Sequence, residues 1–124
     1  ALKTAVAKGY TICIITGGGN VGVQKRFENL GVTDIFMLRH EKLETFLEYQ
    51  KSKGLKTEQI LYMGDDIPDI PPMKHSGLAT CPQDAVPEVK AVAHYISHRD
   101  GGQGAVRDVI EQVLKVRGDW FDFN

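Results

Sequence analysis

What the sequence lacks narrows it first. Its 124 residues contain no apolar run approaching the ~20 residues a membrane helix needs. Neither sign of charge is in excess: fifteen basic and sixteen acidic residues leave a net charge of -1. That balance offers no basic surplus for nucleic acid and no polybasic patch for a membrane surface. Cysteine is scarce. Cys13 and Cys81 each sit in an apolar, strand-like context and are expected to be buried free thiols in a reducing, cytoplasmic compartment. His40, His75, His94 and His98 lack the spacing of zinc ligands and read as surface or loop residues. No internal repeat or low-complexity segment occurs. The opening Ala1-Leu2-Lys3-Thr4 is not a signal peptide and carries no initiator Met, so further residues are expected upstream.

What is present is the composition of one ordinary domain, residues 1–124, with 42% hydrophobic and 25% charged residues. Leu2, Ala5 and Val6 share a helical face that Gly9 ends. Tyr10–Ile15 is apolar and β-branched, a strand. Thr16-Gly17-Gly18-Gly19-Asn20 follows, with Asn20 placed to cap a helix carrying Val23, Phe27 and Leu30 up to Gly31. Ile35–Leu38 reads as a short strand. A helix from about Glu41 to Lys53 is expected to bury Leu43, Phe46 and Leu47 and to stop at Gly54. Ile60–Met63 reads as a buried strand and Leu78–Cys81 as another, with a proline-interrupted turn between them reaching His75. Pro87–Ala93 is a short helix, Tyr95–Ser97 a last strand, and Gly101–Gly104 a flexible loop. Val106, Val109, Ile110, Val113 and Leu114 give the best-patterned helix. Strands alternating with helices predict an α/β fold, a three-layer parallel sheet with helices on both faces. Right-handed crossovers would then bring Thr16 and Asp65 to one edge of that sheet.

The chemistry concentrates in Gly64-Asp65-Asp66-Ile67-Pro68-Asp69. A strand that releases three carboxylates at its C-terminal end puts them where open α/β sheets keep their sites. Oxygen-only ligands in a small cluster suit a hard cation, Mg²⁺ foremost; an acidic turn with an Asp cap is the plain alternative. Thr16 and Gly17 offer a hydroxyl and backbone amides before a helix, an arrangement that holds phosphate. The stretch is neither a Walker loop nor a dinucleotide fingerprint. Lys42 opens a helix, where the helix dipole disfavours a cation, and such a misfit points to a role; Arg39 is nearby. A phosphate holder, a lysine and a carboxylate cluster are the parts phosphoryl transfer requires.

These residues occur in a familiar order: Ile14-Ile15-Thr16-Gly17, Arg26-Phe27-Glu28-Asn29-Leu30-Gly31, Lys42, Gly64-Asp65-Asp66-Ile67-Pro68-Asp69, Gly77-Leu78-Ala79, Asp84-Ala85 and Gly101-Gly102-Gln103-Gly104-Ala105-Val106-Arg107. The chain resembles the haloacid dehalogenase superfamily, and within it the capless phosphatases that act on 3-deoxy-D-manno-octulosonate 8-phosphate (KDO 8-phosphate). The resemblance covers about Ala1 to Leu114. It implies a Rossmann-like core and a phosphoric monoester hydrolase that uses Mg²⁺. It makes Thr16 the phosphoryl-binding hydroxyl, Gly17 an amide donor, Lys42 the cation between nucleophile and phosphate, and Asp65 the metal ligand. Asp69 would hold a metal-bound water or Lys42, Asp66 would stand behind the ligands, and Arg107 would shape the substrate entrance. It also implies a cytoplasmic homotetramer acting on a small sugar phosphate in lipopolysaccharide synthesis. The aromatic tail Trp120–Phe123 would suit docking on a neighbouring subunit.

Two departures stand out. The family's Asp-x-Asp nucleophile motif, on an N-terminal strand central in the sheet, is absent from this chain. Gly18 also stands where many members carry Arg after Thr-Gly. Two other functions share the pattern: a nonulosonate 9-phosphate phosphatase, and a non-catalytic assembly domain of an acylneuraminate cytidylyltransferase. A signalling receiver domain is disfavoured because it places its acids first and its Lys last.

Overall fold

A computed structural model describes residues 1–120. The tail residues 121–124, including Phe121 and Phe123, lie outside the described residues. Among the described residues five short strands, parallel within their sheets, alternate with six helices. They are α1 (Leu2–Ala7), β1 (Cys13–Ile15), α2 (Val21–Asn29), β2 (Asp34–Phe36), α3 (Lys42–Lys53), β3 (Leu61–Met63), α4 (Ile70–Lys74), β4 (Leu78–Cys81), α5 (Pro87–Val92), β5 (Tyr95–Ile96) and α6 (Ala105–Val116). One-turn 3₁₀ segments at Thr57–Gln59 and Ile67–Asp69 precede β3 and α4.

The local stops and starts are where the residue chemistry puts them. Asn20 caps α2, its side-chain oxygen accepting from Gly22 N at 2.8 Å and Val23 N at 3.4 Å. Gly54 ends α3 in the left-handed conformation (φ 63°), which costs glycine no Cβ clash. Pro71 and Pro72 are tolerated because α4 is only five residues long and its first amides need no intrahelical acceptor. The expected burial of α3 is corrected at one position. Leu47 is exposed, whereas Thr45 and Phe46 are buried and Tyr49 is half-buried. The face that meets the sheet is therefore rotated by about one residue from the Leu43–Leu47 stripe.

The strands form two groups. β1 pairs with β2, register Ile14 to Ile35; β3 pairs with β4, and β4 with β5, registers Tyr62 to Ala79 and Cys81 to Ile96. Among the described residues no strand pairing joins β1 to β3. The principal core cluster, Met73, Ala79, Cys81, Ala85 and Val89, lies where β4, α4 and α5 meet. Buried Val109 and Leu114 come from α6, which packs on α1. Between the facing edges of β1 and β3 runs a cavity of about 400 Å³. Cys13–Ile15 lines one side of it and Ile60–Met63 the other, with Phe46 and Tyr49 of α3 and Val106, Val109 and Ile110 of α6 completing the walls. Both thiols are free, and burial pushes Cys13 up to about 12, so it stays protonated.

Candidate active site

Thr16 leaves the C-terminal end of β1 with its backbone tied to the segment after β2. Its N–H donates to Phe36 O (2.9 Å), its carbonyl accepts from Arg39 N (2.9 Å), and Gly18 O accepts from Leu38 N (3.0 Å). The β1–β2 pairing therefore continues past both strands and fixes the glycine loop. The Thr16 hydroxyl oxygen accepts from Gly18 N at 3.1 Å, which leaves its own proton to donate outward. The ring of His40 lies against Gly17; a Cβ there would sit 3.5 Å from His40 Nδ1.

Lys42 is the first residue of α3, whose preceding Glu41 gives no side-chain cap. The helix dipole repels a cation there, and a specific partner offsets it: Lys42 Nζ lies 2.8 Å from Asp69 Oδ1. Their side chains are only 17% and 4% exposed, so the pair is largely withdrawn from water.

Asp69 is the most connected residue of the site. Oδ1 also accepts from Tyr62 OH at 2.8 Å, and Oδ2 from the backbone N–H groups of Asp65 (3.0 Å) and Asp66 (3.2 Å). Burial alone would raise its pKa; the Lys42 ammonium, the Asp65 amide and the Tyr62 hydroxyl outweigh burial and hold it below the ordinary carboxylate value. Tyr62 is pushed upward by burial and by the Asp69 charge, so it remains a hydroxyl and a donor. Gly64 makes this packing possible. A Cβ at Gly64 would lie 2.3 Å from Asp69 Cβ, so any side chain there would expel the carboxylate from beneath the loop.

The other two acids behave differently. Asp66 turns back on its own loop, Oδ1 accepting from Ile67 N at 2.8 Å as a cap for the 3₁₀ turn. Asp65 is exposed, its carboxyl close to that of Asp69. Partial burial of the carboxyl, then the nearby Asp69 charge, raises its pKa, while Lys42 partly counters the rise. A carboxylate raised by a neighbouring anion is one whose charge a cation would relieve. Among the described residues no group of three His, Cys, Asp or Glu is gathered closely enough to form a metal centre alone. The donor set nevertheless suits Mg²⁺, which takes one or two carboxylates and fills its remaining positions with water and phosphate oxygens.

The fold thus gathers Lys42, Asp65, Asp66 and Asp69 into one linked cluster. Thr16 and Gly17 follow the C-terminal end of β1, and Asp65 follows that of β3; these two strands line opposite sides of the cavity. Arg107 is exposed in the first turn of α6. Three participants were hidden from sequence reading: Tyr62 within an apolar strand, His40 against Gly17, and the tight fit of Gly64 on Asp69. Only Gly64 left a signal, as a glycine between a strand and its acids.

The chain's likenesses agree with this geometry. A family model for haloacid dehalogenase-like hydrolases matches residues 31–110. The 3-deoxy-D-manno-octulosonate 8-phosphate phosphatase KdsC of Yersinia pestis is 32% identical over 113 residues, covering 91% of this chain and 60% of that protein. A crystal structure of the Yersinia pestis phosphatase superposes with a TM-score of 0.92 at 30% identity, covering 95% of this chain and 64% of that one. The Moraxella catarrhalis phosphatase, solved with a magnesium ion, a phosphate ion and a KDO molecule, superposes with a TM-score of 0.89 at 32% identity, covering 92% and 66%. The chain spans about 60% of the length of the curated relatives it matches. By its sequence over residues 31–110 and by its parallel α/β architecture, the chain belongs to the haloacid dehalogenase-like hydrolases.

Proposed function

We propose that this chain carries the phosphate- and metal-binding part of a phosphatase that hydrolyses a sugar-acid phosphate, KDO 8-phosphate, to KDO and inorganic phosphate. The observation that carries the reading is the largely buried Lys42–Asp69 pair, oriented by Tyr62 and the loop amides, with the exposed Asp65 beside it at the end of β3. A buried ion pair costs desolvation, and a helix start opposes a lysine. A chain that needed only a folded scaffold would gain nothing from either.

In this reading Thr16 Oγ and the Gly17 amide hold the phosphoryl oxygens. Lys42 neutralises the developing charge, kept in place by Asp69, which Tyr62 and the loop amides orient in turn. Asp65 would hold Mg²⁺, which when bound supplies charge neutralisation and orientation to the phosphoryl group. The single domain of residues 1–124 is the unit that performs this binding, with Arg107 beside the entrance.

The nucleophile is then a carboxylate carried on a further extended segment that fills the cavity between β1 and β3. Both facing edges offer unpaired backbone groups to such a strand, and the walls are apolar. A parallel strand there would end between Thr16 and Asp65. Its carboxylate would attack phosphorus as the sugar alkoxide leaves, and water would then release phosphate from the acyl phosphate. The same reading makes the protein a cytoplasmic homotetramer serving lipopolysaccharide synthesis. Gly18, in place of the common Arg, leaves the sugar subsite less charged, so a nonulosonate 9-phosphate belongs in the substrate panel.

The test is turnover by the full-length protein on a panel of sugar phosphates, with and without Mg²⁺. KDO 8-phosphate is expected to be cleaved best, and Asp65→Asn to abolish Mg²⁺ stimulation with a rate loss of about 100-fold or more. Mg²⁺-stimulated turnover that survives Asp65→Asn would overturn the assignment. Cytidylyl transfer with no phosphatase activity would favour the assembly-domain reading.

A further inference from the structure

Leu38 is the sole non-glycine residue at positive φ among the described residues, at 58°. For an L residue with a branched side chain the left-handed region is strained, and such strain persists where the surroundings impose it or function requires it. Glycine would adopt the same backbone without penalty. The side chain also earns little from burial, being 68% exposed. Its fixed points are both on the phosphate loop. Leu38 N donates to Gly18 O at 3.0 Å, and the isobutyl group lies over Gly19, where a Cβ would meet Leu38 Cδ2 at 3.0 Å. Glycine at position 19 thus leaves room for leucine at 38. Arg39, the next residue, donates its N–H to the carbonyl of Thr16.

We propose that Leu38 is a specificity-determining residue: it presents an apolar ledge, beside the Thr16–Gly19 loop, to the carbon skeleton of the substrate's leaving group. This rests on the phosphatase reading and deepens it. With the phosphoryl group held at Thr16 and Lys42, the esterified alcohol must lie outward from the loop. The C–H face of a multi-carbon sugar chain can cover an isobutyl group there. A two- or three-carbon polar alcohol cannot, and gains only the phosphate contacts. Gly18 supplies no cation for the sugar's polar groups, so this wall selects by shape and apolar contact.

The experiment compares wild type, Leu38→Gly and Leu38→Asn in the full-length protein. Glycine removes both ledge and strain; asparagine accepts the left-handed backbone but replaces the apolar group. The probes are KDO 8-phosphate, glycerol 3-phosphate and inorganic phosphate, each read by turnover or inhibition and by ligand-induced melting shift. The expected result is a roughly 10-fold fall in the kcat/KM preference for the sugar phosphate over glycerol phosphate, carried mainly by KM. Inhibition by inorganic phosphate should hold, and the ligand-free Leu38→Gly melting temperature should hold or rise by a few degrees. An unchanged preference in both variants overturns the proposal. So does a lost preference accompanied by a changed mass in solution, which would make Leu38 an intersubunit contact. A wild type without turnover sinks the phosphatase reading separately. The ledge is then judged by whether both variants lose the extra melting shift that sugar phosphate gives over inorganic phosphate.

Discussion

Strands β1 and β4 are built from similar small and branched residues, yet their surroundings differ. β4 is paired on both sides, and Ala79, Thr80 and Cys81 are 1%, 0% and 0% exposed. Among the described residues β1 has one partner, all three of its own residues are half-buried, and α2, which follows it, buries no residue fully. Each half keeps an open edge toward the cavity, β1 on one side and β3 on the other, but only the β3–β5 half also holds a strand paired on both sides and buried in a core. The candidate residues fall on both sides of that seam: Thr16 follows β1, Asp65 and Asp69 follow β3, and Lys42 of α3 pairs with Asp69.

The largest expected effect tests the asymmetry itself. Met73 is 1% exposed within the β4–α4–α5 cluster, so Met73→Ala should cost about 2–5 kcal/mol in urea unfolding. Ile14→Ala, in a half-buried strand beside the cavity, should cost less than half as much, because part of its side chain already meets open space. Equal losses would mean that the two halves are equally packed and would remove the contrast.

A somewhat smaller effect tests the bridge across the seam. Lys42→Met leaves the Asp69 carboxylate buried with only Tyr62 and two amides, and should cost about 2–3 kcal/mol, below the usual range for a fully buried pair because Lys42 is partly exposed. Adding Asp69→Asn to Lys42→Met should recover part of that stability, since the uncompensated charge is gone, while activity stays lost. A double-mutant cycle with no coupling would show that the pair does not tie the halves together.

Much of this arrangement was legible in the sequence where one residue's chemistry decides local structure. Asn20 caps its helix, Gly54 ends α3, and the alternation of apolar runs gave the parallel α/β order. The misfit of Lys42 at a helix start pointed to a role, the family resemblance offered Asp69 as a partner, and the fold pairs the two. What could not be read was tertiary. Leu47 is exposed although it fits the apolar stripe of α3, because the helix packs on α4, β1 and the Ile67–Asp69 turn with Thr45 and Phe46 as its buried residues. The division of labour among the three aspartates depends on Gly64 admitting Asp69 beneath the loop, a close approach no spacing rule encodes. The positive φ of Leu38 is invisible in a residue type that rarely adopts it.

The smallest effect separates the two halves by pH. In the β3–β5 half, Asp108 at the start of α6 is 5% exposed and accepts from Ser97 Oγ (2.7 Å), Tyr95 OH (2.8 Å) and Gln112 Nε2 (3.5 Å), with His98 Nδ1 3.7 Å away. Burial works to raise its pKa, but these donors and the His98 ring hold it below the ordinary value. Asp69 at the seam is lowered as well. A carboxylate with a depressed folded pKa contributes stability that is full above its unfolded value of about 3.9 and is lost as pH falls through the folded one. Both acids therefore destabilise the fold below about pH 4, each at its own corner. Asp108→Asn should remove the Asp108 part of that slope while costing less at neutral pH than Lys42→Met. The amide of Arg99, which donates to Ser97 Oγ at 3.0 Å, reports that corner in hydrogen exchange. If acid loosens Arg99 equally in wild type and Asp108→Asn, the β3–β5 half has no acid-sensitive corner of its own, and the acid response belongs to the seam.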